Sequence, residues 1–172
     1  TIFRIALQDQ DVNNETKVLD TACAVGGNAR WMASLFGCEV HGNDIDEEAL
    51  EVARDLAEIE NISHLCNFVN APVENLPFKD KTFDMVITTD VFDAVEVKRV
   101  LKSGGFFIVV SLFEDPKVTP MQLAEGWGLE LEVSLDVTDL ASAFNRAKET
   151  EARLLHESKM IDARELIEIM NK

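Results

Sequence analysis

The feature that most limits what this chain can fold into is a set of short runs, apolar on both faces, separated by stretches of helical periodicity. The clearest run is Gly105 to Leu112 (GFFIVVSL). Lys17 to Ala22 (KVLDTA) is a shorter one, and Glu39 to Asp44 (EVHGND), Cys66 to Ala71 (CNFVNA) and Phe83 to Thr89 (FDMVITT) read as further strands. A strand with one wet face alternates apolar and polar residues, whereas a strand covered on both faces does not. Between the runs, Asn28 to Phe36 reads as helix. Asp46 reads as the N-cap of a second helix, with Glu47 and Glu48 in its first turn, where the helix dipole favours acids. Ala49, Leu50, Ala53, Leu56 and Ala57 then recur at helical spacing. Strands alternating with helices predict an α/β fold with a doubly wound, mostly parallel sheet.

Beyond Leu112 the pattern predicts a helix over Thr119 to Gly126 and an edge-like strand over Leu129 to Val137. Helix is expected from Thr138 to Lys172, with Leu140, Phe144, Ala147 and Leu154 as its buried stripe. A chain of 172 residues accommodates one sizeable core.

Several function classes are disfavoured. The net charge is −16 with only 16 Lys and Arg, so a nucleic-acid partner is not expected. No apolar run approaches the roughly 20 residues of a membrane helix, and no basic-then-apolar leader opens the sequence. Cys23, Cys38 and Cys66 are odd in number and lack C-x-x-C spacing, which argues against a disulfide framework and a zinc site. His41, His64 and His156 stand apart from one another, so no metal site is predicted. The expected location is the reducing cytoplasm.

In an open α/β sheet, ligands lie at the carboxyl ends of the strands, near the point where strand order reverses. Two features sit there. Asp20-Thr21-Ala22-Cys23-Ala24-Val25-Gly26-Gly27 is a small-residue turn before a helix, which lets a ligand approach the backbone and the helix N–H groups. Asp44 closes the second strand, and an acid there can accept both hydroxyls of a ribose. Each feature has a plain structural alternative, packing for the turn and capping for the acid. Together they describe a site for a ribose-bearing ligand.

The stretch VLDTACAVGGNARWMASLFGCEVHGNDIDEEALEVAR resembles the opening half of the class I S-adenosylmethionine-dependent methyltransferases. It is most similar to the small-molecule branch that includes quinone-biosynthesis and glycine/sarcosine methyltransferases. The likeness continues through Glu74-Asn75-Leu76-Pro77-Phe78, Thr82-Phe83-Asp84-Met85-Val86 and Arg99 to Gly105, covering Val18 to Leu112. It implies a Rossmann-like class I methyltransferase fold, S-adenosylmethionine as cofactor and a small-molecule acceptor. It also implies one domain over 1–172, with 1–113 as cofactor-binding core and 114–172 as C-terminal strand and helices.

The same resemblance assigns roles. Asp20 and the loop Ala22, Cys23, Ala24, Gly26 would hold the methionine part, and Asp44 the ribose. Ile45 would pack on adenine, the Val73 backbone would face the adenine edge, and Thr88 would lie near the sulfonium. Arg99 to Gly105 would form a turn into the fifth strand. No catalytic residue is indicated; Asp90 and Asp93 are candidates beside the acceptor, with helix capping as the alternative.

The chain departs from the family at Ala24, where glycine is usual, and at Pro72, where an Asp commonly reads the adenine amino group, an interaction either lost here or supplied by Asn70. The last strand and an N-terminal lid are expected to be lacking. Two other readings remain. A dinucleotide oxidoreductase would use Asp44 equally well, but the loop lacks G-x-G-x-x-G. A catalytically inactive methyltransferase-like binding or partner protein is motivated by Ala24 and Pro72.

Overall fold

The structure, a computed structural model, describes Leu7, residues 10–110 and residues 119–130. These fall within a compact unit spanning Thr1–Glu132. The helix expected from Thr138 onward and the strand expected over Leu129 to Val137 lie outside the described residues, apart from Leu129 and Glu130, which are in neither helix nor strand.

The elements run β1 (Lys17–Thr21), α1 (Gly27–Phe36), β2 (Glu39–Asp44), α2 (Glu47–Ile59), β3 (Cys66–Asn70), β4 (Phe83–Thr89), α3 (Ala94–Val100), β5 (Leu101–Val110) and α4 (Pro120–Trp127). The five strands form one sheet in the order β3-β2-β1-β4-β5, and every pairing is parallel. The order reverses between β1 and β4, so the crevice at the carboxyl edge of this sheet opens there.

Successive residues of a strand point to opposite faces, and the two cores follow that alternation. Val18, Met85 and Ile87 pack with Ala29, Met32 and Ala33 of α1 and with Leu50, Ala53 and Ala57 of α2. Leu19 and Val86 pack on the other face with Val97 and Val100 of α3 and with Leu76, joined by Phe83, the first residue of β4, which departs from the alternation. Both faces are therefore covered, which is why the strand runs are apolar throughout. Trp31 and Phe36 lie against the first core as an edge-to-face pair at 6.0 Å.

Local signals explain the helix limits. Asp46 caps α2 by accepting the Ala49 N–H at 3.2 Å, and Leu50, Ala53 and Ala57 form its buried stripe. α1 begins after Gly26 and ends at Gly37, both left-handed. Thr119 and Gln122 form a reciprocal capping box at the start of α4.

One expectation needs correction. The segment Arg99 to Gly105 is not a turn: Arg99 and Val100 finish α3, and Leu101 already belongs to β5. The register between β4 and β5 slips between Phe83 and Met85, whose partners are Leu101 and Phe106. The polar stretch Lys102-Ser103-Gly104-Gly105 forms this irregularity, with Gly104 at φ +77°, and such extra residues disguise a strand start.

Candidate functional site

The carboxyl edge is built around β1 and its loop. Asp20, next to last in β1, is 1% exposed, and its Oδ2 accepts the Ala29 N–H at 3.1 Å, joining the strand to the first turn of α1. Burial raises the Asp20 carboxyl from 3.8 to about 7; the Ala29 bond partly offsets this, and the nearby Asp44 charge adds to it. Asp20 thus sits near its titration midpoint at neutral pH.

The loop that follows has an unusual backbone. Ala22 (φ 52°), Ala24 (φ 47°) and Gly26 (φ 68°) are all left-handed. For an L-residue with a Cβ, that region costs about 1–2 kcal/mol. Gly26 tolerates no Cβ, because one would lie 2.7 Å from the Phe68 ring. Alanine at 24 therefore does not abolish the loop; it occupies the conformation that glycine adopts more easily.

What fixes the loop is the end of β2. The Cys23 N–H donates to Asn43 O at 3.0 Å and the Gly26 N–H to Cys23 O at 2.8 Å. The Ala24 N–H donates to Asp44 Oδ2 at 2.8 Å, and the Asp46 N–H donates to Asp44 Oδ1 at 3.0 Å. Each Asp44 oxygen thus accepts one N–H from the described residues, while a carboxylate offers about four acceptor positions. Cys23 is buried, and burial pushes its thiol well up, so it acts here as a small apolar filler.

Ile45, beside Asp44, is 75% exposed, an apolar side chain standing open at the same edge. The chain end of β3 is tied to it: Asn70 Nδ2 donates to Asp44 O at 3.2 Å and to Ile45 O at 3.0 Å. In return Asn43 Nδ2 donates to Ala71 O at 3.1 Å, and the Ala71 N–H to Asp44 O at 3.0 Å. Val73 is half-buried two residues on. Sequence reading offered Asn70 at this edge and did not find its counterpart Asn43, which is fully buried one residue before Asp44.

The remaining candidates sit differently. Thr88 is fully buried, and its hydroxyl donates to Val91 O at 2.8 Å or to Thr21 O at 3.2 Å. Thr88 and Thr21 thus form a sealed polar floor beneath the edge. Asp93 caps α3, accepting the Glu96 N–H at 2.9 Å. Asp90 follows β4 with φ 65°, and its N–H donates to Val110 O at 3.0 Å. The structure therefore brings Asp20, Ala22, Cys23, Ala24, Gly26, Asp44 and Ile45 together, with Thr88 buried beside them against Thr21 of β1.

Arg99 carries a second network that sequence reading missed. Its guanidinium donates to Leu76 O at 3.0 Å, to Phe78 O at 2.7 Å and to Asp80 at 3.0 Å. It also forks onto Glu96 at 2.7 Å, whose Oε2 accepts the Leu76 N–H at 2.7 Å. This fastens the Leu76-Pro77-Phe78 segment to α3. Two open clefts of about 420 and 410 Å³ lie away from the carboxyl edge. One lies beside Lys98 and Trp127, and the other beside Asp84 and Lys102. Among the described residues no His, Cys, Asp and Glu group of three or more could hold a metal ion, and no helix is long and apolar enough to cross a membrane.

A strand-to-helix turn of small residues, an acid closing the next strand and a sheet reversal at β1/β4 are the features with which α/β domains take nucleoside-bearing ligands. Residues 19–109, just over half of the chain, match the model of a methyltransferase domain. The chain belongs to that family. Its fold is that of the class I methyltransferases. The chain is 33% identical over 124 residues to a sarcosine/dimethylglycine N-methyltransferase of Halorhodospira halochloris, covering 67% of this chain and 43% of that protein. It is 32% identical over 117 residues to the chloroplastic tocopherol O-methyltransferase of Arabidopsis thaliana, covering 63% of this chain and 34% of that protein. The crystal structure of MccD protein superposes with a TM-score of 0.61 at 24% identity, covering 68% of this chain and 55% of that chain. This chain thus spans less than half the length of the curated relatives named here.

Proposed function

We propose that this methyltransferase-family chain binds S-adenosylmethionine at the carboxyl edge of its sheet and takes part in methyl transfer to a small-molecule acceptor. The observation that carries this reading is Asp44. Its carboxylate is aligned by the Ala24 and Asp46 N–H groups and retains acceptor capacity on both oxygens for the two hydroxyls of a ribose. The donor set of the edge fits the cofactor. Ile45 offers an apolar surface for the base, and the left-handed loop brings backbone close to the ligand without a bulky side chain. Asp20 stays beneath that loop and holds the entry of α1 through Ala29.

The bound cofactor supplies a methyl group on a sulfonium, already activated for in-line displacement. The chain's own share is to align the two reactants and to keep water out. Asp44 and the loop Ala22 to Gly26 bind and orient, the Val73 backbone meets the base edge, and the Thr21–Thr88 floor keeps the crevice shut from below. Asp90 and Asp93 flank the position an acceptor would take. Asp93 accepts the Glu96 N–H as the cap of α3, which holds the start of that helix against the acceptor side. A proton acceptor is required only for an acceptor that is protonated at working pH.

Relatives that bear an N-methyltransferase name and an O-methyltransferase name support a small-molecule acceptor and leave its chemistry open. The net charge of −16 speaks against nucleic acid. The unpaired Cys23, Cys38 and Cys66 favour a reducing compartment, hence the cytoplasm.

One observation keeps a second reading in play: the strained Ala24. A binding protein without turnover would tolerate it. Formation of S-adenosylhomocysteine from S-adenosylmethionine, screened against small amines and hydroxyl compounds, separates the two. Turnover with any acceptor class supports the enzyme. Tight cofactor binding without turnover across the panel supports the binding protein.

A further inference from the structure

The loop over residues 22–26 rests on a side chain that comes from two strands away. Phe68 is the one buried residue of β3. Its register partner in β2 is Gly42, whose partner in β1 is Asp20. Residues in register share a face of the sheet, so the three stand in one row on the side of α1. Gly42 has no side chain, and the space above it is already filled. A Cβ there would lie 2.7 Å from Cys23 Sγ and 2.7 Å from Phe68 Cδ1. The far edge of the same ring reaches Gly26, where a Cβ would lie 2.7 Å from both Cε1 and Cζ and 3.0 Å from the Ala53 Cβ. Two glycines in different elements are thus cleared for one ring, which passes over β2 to meet the loop that follows β1.

The ring is held where it stands. Arg54 of α2 donates from Nη2 to the Phe68 carbonyl at 3.2 Å and from Nη1 to Glu47 at 2.8 Å, which fastens β3 at that residue. The loop above it has little hold on its own shape. Ala22 and Ala24 are left-handed, a conformation that an alanine leaves when nothing enforces it. We propose that Phe68 is a positioning residue of the crevice: its ring, admitted by Gly42 and Gly26, sets the height at which residues 22–26 meet a ligand. The identity of that ligand rests on the proposed cofactor reading, and Phe68 acts on it through the loop rather than by contact.

The test compares Phe68→Leu with Phe83→Leu, the same exchange in the core on the opposite face. Leucine keeps the branch over Gly42 and loses the ring edge under Gly26. Both variants are expected to melt below the wild type. In calorimetric titration, S-adenosylhomocysteine should bind Phe68→Leu about tenfold more weakly, because small misplacements of a binding element carry penalties of that order. Phe83→Leu should stay within about twofold of the wild type, as a distant and independent site. Phe68→Met, long enough to refill the space under Gly26, should recover affinity to within about threefold. Unchanged affinity in Phe68→Leu, or an equal loss in Phe83→Leu, overturns the inference and leaves the cofactor reading standing. Amide exchange at Gly26, whose N–H donates to Cys23 O, reads the loop without any ligand. It should quicken at least about fivefold in Phe68→Leu and not in Phe83→Leu. If the wild type binds no S-adenosylhomocysteine at millimolar concentration, the cofactor reading fails, and the exchange comparison alone sustains or overturns the support by Phe68.

Discussion

Two loops leave the carboxyl edge of the same sheet and are held in opposite ways. Residues 22–26 after β1 are held by backbone conformation, with three left-handed residues and a carboxylate whose oxygens keep acceptor positions. Residues 76–80 after β3 are held by saturation: Arg99 and Glu96 satisfy Leu76 and Phe78 and engage Asp80 at once. The difference teaches where a ligand can act. A loop whose hydrogen bonds are complete has only a structural role, whereas a strained loop beside incompletely used acceptors is arranged for something that arrives later.

Removing the saturated clamp should have the largest effect. Arg99→Ala leaves two backbone carbonyls and Glu96 without their donor, and should cost about 2–4 kcal/mol of unfolding free energy in urea titration. Arg99→Lys should recover little of it, since an ammonium cannot span the fork. A loss under about 0.5 kcal/mol would mean that the segment holds itself.

The next effect is on the strained side and depends on pH. The Asp20 carboxyl is raised to about 7 when folded, against an ordinary 3.8. Between those values the unfolded chain gives up this proton and the folded chain keeps it, so stability falls as pH rises from about 4 to about 7. The slope is at most about 1.4 kcal/mol per pH unit. Asp20→Asn should flatten that part of the profile in denaturation at pH 5, 6, 7 and 8. Glu96 is held low by its bond to Arg99, so its contribution to stability runs in the opposite direction with pH. Parallel profiles for the two proteins would show that Asp20 is not the cause.

The smallest effect concerns the loop's conformation. Ala24→Gly relieves a left-handed alanine and should stabilise by about 0.5–1 kcal/mol, after the greater entropy of glycine in the unfolded chain is counted. An upward shift in the thermal midpoint checks this, and a downward one would show that the methyl packs usefully.

Much of this architecture was legible in the residues. Strands covered on both faces show themselves by apolar runs, and β4 begins and ends where its run does. Asp46 and Thr119 announce their helices because capping is local. β5 hid its start because Lys102 to Gly105 are polar residues in an irregular register, and α3 hid because seven residues with one exposed apolar face, Val95, carry little periodicity. At the site, Asp20, Asp44 and the small-residue loop could be read from position along the chain. The reciprocal hold of Asn43 and Asn70 and the reach of Arg99 could not. They join residues 20 to 30 apart in sequence, and only the parallel sheet brings those together.

The central claim is that the edge around Asp44 takes the ribose of S-adenosylmethionine, and titration of S-adenosylhomocysteine into wild type and Asp44→Ala tests it most directly. Micromolar binding by the wild type, weakened at least roughly a hundredfold by the substitution in a protein that still folds cooperatively, is the predicted result. Equal affinity in both proteins, or none in the wild type at millimolar ligand, would contradict it.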